Sequence, residues 1–459
     1  MKQLDYFFNP KSVAVIGASH KPGKVGYVIL SNFLATFKRR VYPINPDTTP
    51  ILGLKVYKSV LDVPEDLDLV VIAVPAKIVP KVLRECVKKK IEAIVIISAG
   101  FSEIGEEGRR LENECKRIIQ KSRARVIGPN CLGVFDPYTQ VDTLFLSRDR
   151  CGRPRKGNIA FITQSGAVGS TILDWLAEQG IGISKFISYG NAIDVDESDL
   201  LEYLGGDKKT KVITVYLEGI ETSGKKFMKI AKKVSKKKPI VILKAGKTKK
   251  GLEAVFSHTG SLAGSGKIYS AAFKQCGIIE AQTWEELFDF ARAFSTQPLP
   301  KGNRIAIVTD GGGFGVLATD EAERLGIELP EPSEKLKREM RKVMPSYASM
   351  HNPIDLTGDA DAERYRVVIE ACLKSNEYDG VIAITLFQVP TLGEKVVDYL
   401  IKLHKKYKKP LLACAAGGKF TEELSERLIE GGIPVYPTPE RAMRAMKALI
   451  EYAERRKKL

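Results

Sequence analysis

Short runs of valine and isoleucine alternate along the chain with longer stretches whose apolar residues recur every three or four positions. Runs of the first kind read as strands buried on both faces. The second kind reads as helices covering them, the pattern of parallel α/β sheets. In residues 1–135 the pattern predicts strands at 12–18, 41–44, 69–74, 93–98 and 125–127, with helices near 25–37, 78–89 and 106–121. A second unit, 136–300, opens on a turn-rich basic connection at 136–157. Its strands are predicted at 158–163, 183–188, 212–217, 240–244 and 278–280, with helices at 170–179 and near 283–294. A proline- and glycine-containing linker, 295–302, leads into a third unit, 301–459. There strands are predicted at 304–309, 380–385, 411–415 and 435–436, with helices at 316–325 and from Pro439 to about Lys457. The restart of strand, glycine turn and helix at 12, 158 and 304 predicts three doubly wound domains.

A chain of 459 residues exceeds one ordinary core, which agrees with that division. The net charge of +17 raises nucleic acid as a partner. The lysine-rich stretches at 225–238, 244–250 and 455–458, however, read mostly as solvated helix faces and ends. No zinc-finger spacing, aromatic RNP-like strand or long basic tail accompanies them. An anionic small ligand or a Lys/Glu-rich surface accounts for the charge, and nucleic acid is not expected. The seven cysteines are scattered, odd in number and without a CxxC pair. They point to a reducing cytoplasm and away from a disulfide framework or a metal site. The apolar runs are too short to span a bilayer, the N-terminus lacks the apolar region of a signal peptide, and no membrane association is expected.

In open α/β sheets ligands collect beyond the carboxyl ends of strands, above helix N-termini. Gly17-Ala18-Ser19-His20-Lys21-Pro22-Gly23-Lys24-Val25-Gly26 is the first such turn. Its glycines permit close approach of a phosphate and its lysines add charge, with a purely structural turn as the lesser alternative. The spacing is not GxGxxG, and Pro43-Ile44-Asn45-Pro46 lacks the acidic strand tip that holds a ribose diol. An NAD-dependent oxidoreductase is therefore disfavoured against a different phosphate-bearing nucleotide. Thr163-Gln164-Ser165-Gly166-Ala167-Val168-Gly169 forms the second turn. It is an anion cradle in which Ser165 reads as phosphate ligand before nucleophile, since no glycine stands two residues ahead of the serine. Asp310-Gly311-Gly312-Gly313-Phe314-Gly315 forms the third, with backbone N–H groups available to an anion or with glycines serving helix entry.

His258, one of four histidines, sits in Ser257-His258-Thr259-Gly260-Ser261-Leu262-Ala263-Gly264, a small-residue loop through which backbone and ligand can approach closely. Neutral imidazole has a nucleophilic nitrogen and can carry a phosphoryl group. Glu218, at a strand end before Gly219, can accept a hydrogen bond from one imidazole nitrogen and so leave the other to attack.

Together these residues resemble the alpha subunits of ADP-forming acyl-CoA synthetases (acetate–CoA ligase, ADP-forming), within the succinyl-CoA synthetase superfamily. The resemblance rests on Gly17-Ala18-Ser19 with Pro43-Ile44-Asn45-Pro46, Gly128-Pro129-Asn130-Cys131-Leu132-Gly133, Thr163-Gln164-Ser165-Gly166, Gly190-Asn191-Ala192-Ile193-Asp194-Val195, Leu217-Glu218-Gly219 and Ser257-His258-Thr259-Gly260. Asp310–Gly315 extends it into the third unit. It implies a CoA-binding Rossmann-like domain (1–135), a flavodoxin-like domain bearing a phosphohistidine (136–300) and a second flavodoxin-like ligase domain (301–459). By the resemblance His258 is phosphorylated and Glu218 steadies it. Gln164, Ser165 and Gly166 hold phosphate, joined by Gly311, Gly312 and Gly313, so that two helix starts face the phosphoryl group. Coenzyme A is expected along Gly17, Ser19, Lys24, Gly26, Asn45, Pro46, Val74, Pro75, Ser98, Ala99, Gly100 and Asn130. No ATP-grasp-like unit is read after the third unit. The resemblance therefore implies a separate ATP-grasp beta subunit holding Mg²⁺ and ADP/ATP, in an alpha2beta2 complex. A CoA-sensing regulatory subunit is the alternative, and it would need neither His258 nor Glu218. Whether Cys131 packs or touches substrate is open in the sequence.

Overall fold

A computed structural model describes residues 2–220, 223–259 and 266–459, and only the backbone of residue 2 and of residues 255–259. It divides into two compact units, residues 1–282 and 283–459.

In the first unit, β1 (Ser12–Ile16), β2 (Arg40–Ile44), β3 (Leu69–Ile72), β4 (Ala93–Ile96) and β5 (Arg125–Ile127) form a parallel sheet in the order 2-1-3-4-5. Every residue of β1, β3 and β4 is buried, as expected for strands covered on both faces. Three helices cover this sheet: α1 (Val25–Thr36), α2 (Val79–Lys88) and α3 (Glu106–Ile119).

A second sheet contains β6 (Gly133–Asp136), β7 (Val141–Asp142), β8 (Lys156–Thr163), β9 (Ile183–Ser188), β10 (Val212–Leu217), β11 (Ile240–Lys244) and β12 (Ile279–Ala281). Its parallel part repeats the 2-1-3-4-5 order, and β6 and β7 extend it antiparallel beyond β9. Strand β6 thus spans the expected 135/136 boundary. The connection 136–157 is also more than a solvated basic turn. Asp142 is fully buried and accepts hydrogen bonds from Arg148 and Arg153, both at 2.9 Å, so two of its cations are neutralised internally. The helices are α4 (Gly166–Glu178), α5 (Glu197–Gly206), α6 (Gly224–Ser235), α7 (Lys249–Thr259) and α8 (Gly266–Cys276).

The loop Gly190–Val195 joins the two sheets backbone to backbone. Asn191, Ile193 and Val195 donate to the carbonyls of Pro129, Gly128 and Val126 at 3.0, 3.2 and 3.1 Å. Arg125 reinforces the seam by pairing with Asp194 at 2.9 Å and Asp199 at 2.8 Å.

The second unit starts with α9 (Trp284–Thr296) and contains β13 (Ile305–Thr309), β14 (Ile354–Asp355), β15 (Gly380–Ile384), β16 (Leu411–Cys414) and β17 (Val435–Tyr436). These strands are again ordered 2-1-3-4-5. Helix α9 belongs with this sheet. Asp289 accepts two bonds from Arg441 (2.6 and 2.8 Å), and the Tyr436 hydroxyl donates to the Asp289 carbonyl at 2.9 Å. The expected linker is built in as well, since Gln297 donates to the Gly432 carbonyl and accepts from the Leu411 amide. Helix α10 (Gly312–Arg324) starts four residues before its expected beginning, because the consecutive glycines form its first turn. No helix among the described residues is long and apolar enough to cross a membrane.

Candidate active site

Strand order 2-1-3-4-5 reverses direction between β1 and β3, so a crevice opens beyond the carboxyl ends of these strands. A cleft of about 1200 Å³ begins there, at Val74 and Pro75 after β3 and at Ser98 and Ala99 after β4. It continues past Asn130 to the start of α4 at Gln164, Ser165 and Gly166, and reaches Glu218 after β10. Nine expected site residues therefore share one cavity. The Ser98 hydroxyl donates to the Val74 carbonyl at 2.6 Å, and the Ser98 carbonyl accepts the Asn130 N–H at 2.9 Å, which ties the three exits together.

Gly17, Ser19, Lys24, Gly26, Asn45, Pro46 and Gly100 do not line this cleft. The first six form a shelf on the same sheet edge. Asn45 donates to the Ala18 carbonyl at 2.6 Å, the Ser19 hydroxyl accepts from Lys21, and Lys24 is the exposed N-cap of α1. Gly100 donates instead to the Glu103 carboxylate at 2.6 Å. The two turn glycines have a packing role: a Cβ on Gly17 would collide with the Ala73 carbonyl, and one on Gly26 with the Gly17 carbonyl. Because backbone would have to move, Gly26→Ala is expected to destabilise the chain by about 3 kcal/mol, measured by urea unfolding.

The start of α4 is open. Ser165 caps the helix by accepting the Val168 N–H at 3.4 Å, and beyond its own turn a Cβ on Gly166 would meet nothing closer than Leu132 at 3.8 Å. The first N–H groups of a helix have no intrahelical partner and favour an anion. Gln164 is bound more tightly than its expected ligand role requires. Its side-chain oxygen accepts the N–H groups of Glu218 and Gly219 at 2.8 and 3.1 Å, leaving only its amide nitrogen to donate into the cleft.

Glu218 is 5% exposed, and its carboxylate accepts the Tyr216 hydroxyl. Burial, then the Glu218 charge, pushes Tyr216 up to about 12. Beneath the Glu218 turn lies Lys244, the end of β11. It is 2% exposed and donates to the carbonyls of Glu218 (2.7 Å) and Ala245 (2.5 Å). This lysine belongs to a stretch expected to be solvated, and its burial corrects that reading. A second polar layer also escaped the sequence. The Asn191 amide lies 2.8 Å from Glu103 and 3.0 Å from Glu112 and accepts from Asn130 at 3.2 Å.

His258 stands on the last turn of α7 rather than in a loop; Leu252-Glu253-Ala254 continues the helix and no breaker intervenes before Gly260. Its side chain, with residues 260–265, lies outside the described residues. Helix α7 packs beside the short turn Ser102–Ile104, of which Ser102 and Glu103 line the cleft.

Gly311, Gly312 and Gly313 lie in the second unit, at the start of α10. This turn repeats the α4 turn atom for atom at two points. The Thr163 hydroxyl donates to the Ser165 carbonyl and that of Thr309 to the Gly311 carbonyl. Gln164 accepts the Glu218 N–H across its sheet, just as Asp310 accepts that of Leu386. Burial raises the Asp310 carboxyl.

Residues 11–137 match the CoA binding domain family, residues 156–294 the succinyl-CoA ligase like flavodoxin domain, and residues 305–459 the ligase-CoA domain. Fold and cleft thus define a CoA ligase of the succinyl-CoA ligase type. The alpha subunit of acetate–CoA ligase (ADP-forming) II of Pyrococcus furiosus is 44% identical over 98% of both chains. A 4-hydroxybutyrate–CoA ligase (ADP-forming) of Nitrosopumilus maritimus is 40% identical over 97% of this chain and 64% of that protein. The structure of acetyl-coenzyme A synthetase 1 of Ca. Korarchaeum cryptofilum, described as dinucleotide forming and in complex with phosphate and ADP, superposes with a TM-score of 0.93. It is 40% identical and covers 100% of this chain and 98% of that one. The chain belongs to the family of ADP-forming acetate–CoA ligase alpha subunits.

Proposed function

We propose that this chain is the alpha subunit of an ADP-forming acid–CoA ligase, converting acyl-CoA, phosphate and ADP into acid, CoA and ATP. The observation that carries this reading is the single cleft running from the switch point of the first sheet to the start of α4 and Glu218. It fits a thioester held at one end and a phosphate at the other.

Coenzyme A lies along Val74, Pro75, Ser98, Ala99 and Asn130, with the Gly17–Gly26 turn, Asn45, Pro46 and Gly100 on the outer edge. Phosphate sits at the N–H groups of Gly166 and Ala167, with Gln164 and Ser165 beside them. A phosphate oxygen attacks the thioester carbonyl, the C–S bond breaks, and the CoA thiol leaves an acyl phosphate. An imidazole nitrogen of His258 then attacks phosphorus; the P–O bond to the acyl group breaks and the free acid departs. Glu218 accepts the other imidazole N–H and fixes the tautomer. Such transfers need positioning and charge neutralisation more than covalent machinery. Gly311, Gly312 and Gly313 form a second phosphate-binding helix start in the other unit. The phosphoryl group passes finally to ADP on an ATP-grasp beta subunit, where Mg²⁺ neutralises the phosphates, in a cytoplasmic alpha2beta2 complex.

Incubation with acetyl-CoA and radiolabelled phosphate, with and without the beta subunit, tests the reading. An acid-labile, alkali-stable label on this chain is expected. If no label appears with the beta subunit present and CoA bound, the carrier mechanism fails.

A further inference from the structure

Phosphoryl transfer at this cleft brings a doubly charged group beside a carboxylate. Glu218 and the start of α4 line the same cavity, and a helix start offers only about half a positive charge. A full charge lies directly underneath. The Lys244 ammonium donates to the Glu218 and Ala245 carbonyls and sits 4.6 Å from the centre of the Tyr269 ring. The Tyr269 hydroxyl in turn accepts the Ile220 N–H at 3.1 Å. Ammonium and ring together hold both ends of the segment Glu218–Ile220. A buried ammonium costs several kcal/mol of solvation, and both its hydrogen bonds go to carbonyls that carry no formal charge.

We propose that Lys244 is a positioning residue for phosphoryl transfer: it holds the Glu218–Ile220 turn and supplies the positive charge that lets carboxylate and phosphoryl group share the cleft. This rests on the phosphohistidine reading above.

Burial lowers Lys244 to about 8; Glu218 pulls it back up, Lys247 lowers it and Glu280 raises it. The groups facing it are Glu218 just after β10, Lys247 paired with Glu280 of β12 at 2.9 Å, and Tyr269 of α8. Its charge is therefore present at neutral pH and lost as pH rises through about 8, and an adjacent phosphoryl group moves that midpoint upward.

The test is the rate of radiolabelling of the wild-type complex from acetyl-CoA and phosphate as a function of pH, beside the Lys244→Met complex. The wild-type rate is expected to fall above about pH 8, with a midpoint that rises at saturating phosphate. Lys244→Met is expected to be about tenfold slower at neutral pH and to lack that alkaline fall, with CoA binding retained. A wild type that labels without an alkaline fall overturns the proposal even if the variant does not fold. A variant that labels at the wild-type rate, or is slowed but keeps the fall, overturns it as well. A wild type that takes no label at all instead overturns the phosphohistidine reading.

Discussion

Replacing His258 by alanine is expected to remove the radiolabel entirely and to lower net turnover by about 10⁴-fold or more, while leaving CoA binding unchanged. The size of the effect follows from the character of the other polar groups around the phosphate end of the cleft. Cys131 lines it, but burial pushes its thiol up to about 12 and its sulfur donates to the Ile96 carbonyl at 3.3 Å. It is therefore a packed thiol rather than a thiolate nucleophile. The Ser165 hydroxyl oxygen caps α4, and Gln164 and Asn130 are amides without nucleophilic character. CoA binding survives because Val74, Ser98 and Asn130 hold one another at the exits of β3 and β4. Phosphate labelling and calorimetric titration with CoA on the same preparation separate the two functions. A label that persisted in His258→Ala would place the phosphoryl group on another residue.

The strands of the first sheet were legible to within a residue or two, because strands buried on both faces must be continuously apolar. The glycine turns were equally plain, but not their division of labour. Gly166 leaves space for a ligand, whereas Gly26 is needed so that α1 can touch the turn after β1, and both look alike as letters. Short antiparallel pieces such as β7, two residues long, carry no periodicity to read. Helix α10 began early because three glycines look like a loop until a helix start claims them. Lys244 was hidden by the rule that lysine follows water. The visible hint is that it closes the unbroken apolar run Ile240–Leu243, where a strand end is already buried. The seam from Asn191 to Glu103 and Glu112 pairs residues about eighty positions apart, which no local pattern reports.

Glu218→Gln is expected to slow phosphoryl transfer by about 100-fold while changing stability little. The substitution keeps shape and takes only charge. The Glu218 N–H still donates to Gln164, Lys244 still donates to the backbone carbonyl, and the Tyr216 hydroxyl can donate to an amide oxygen as it does to the carboxylate. What disappears is the negative group that accepts the imidazole N–H and stabilises the imidazole as it gains positive character in transfer. Two titrations report whether the charge was removed cleanly. Tyr216, held up to about 12 by burial and then by Glu218, is expected to titrate lower, which ultraviolet absorbance follows. Glu218 also raises Lys244, so without it the lysine loses its proton more readily and the alkaline fall in labelling rate moves below about pH 8. Wild-type labelling in this variant, with both titrations shifted, would reduce Glu218 to an ordinary strand-end carboxylate. A slow rate with both titrations shifted ties the carboxylate, the lysine below it and the carrier histidine into one electrostatic unit.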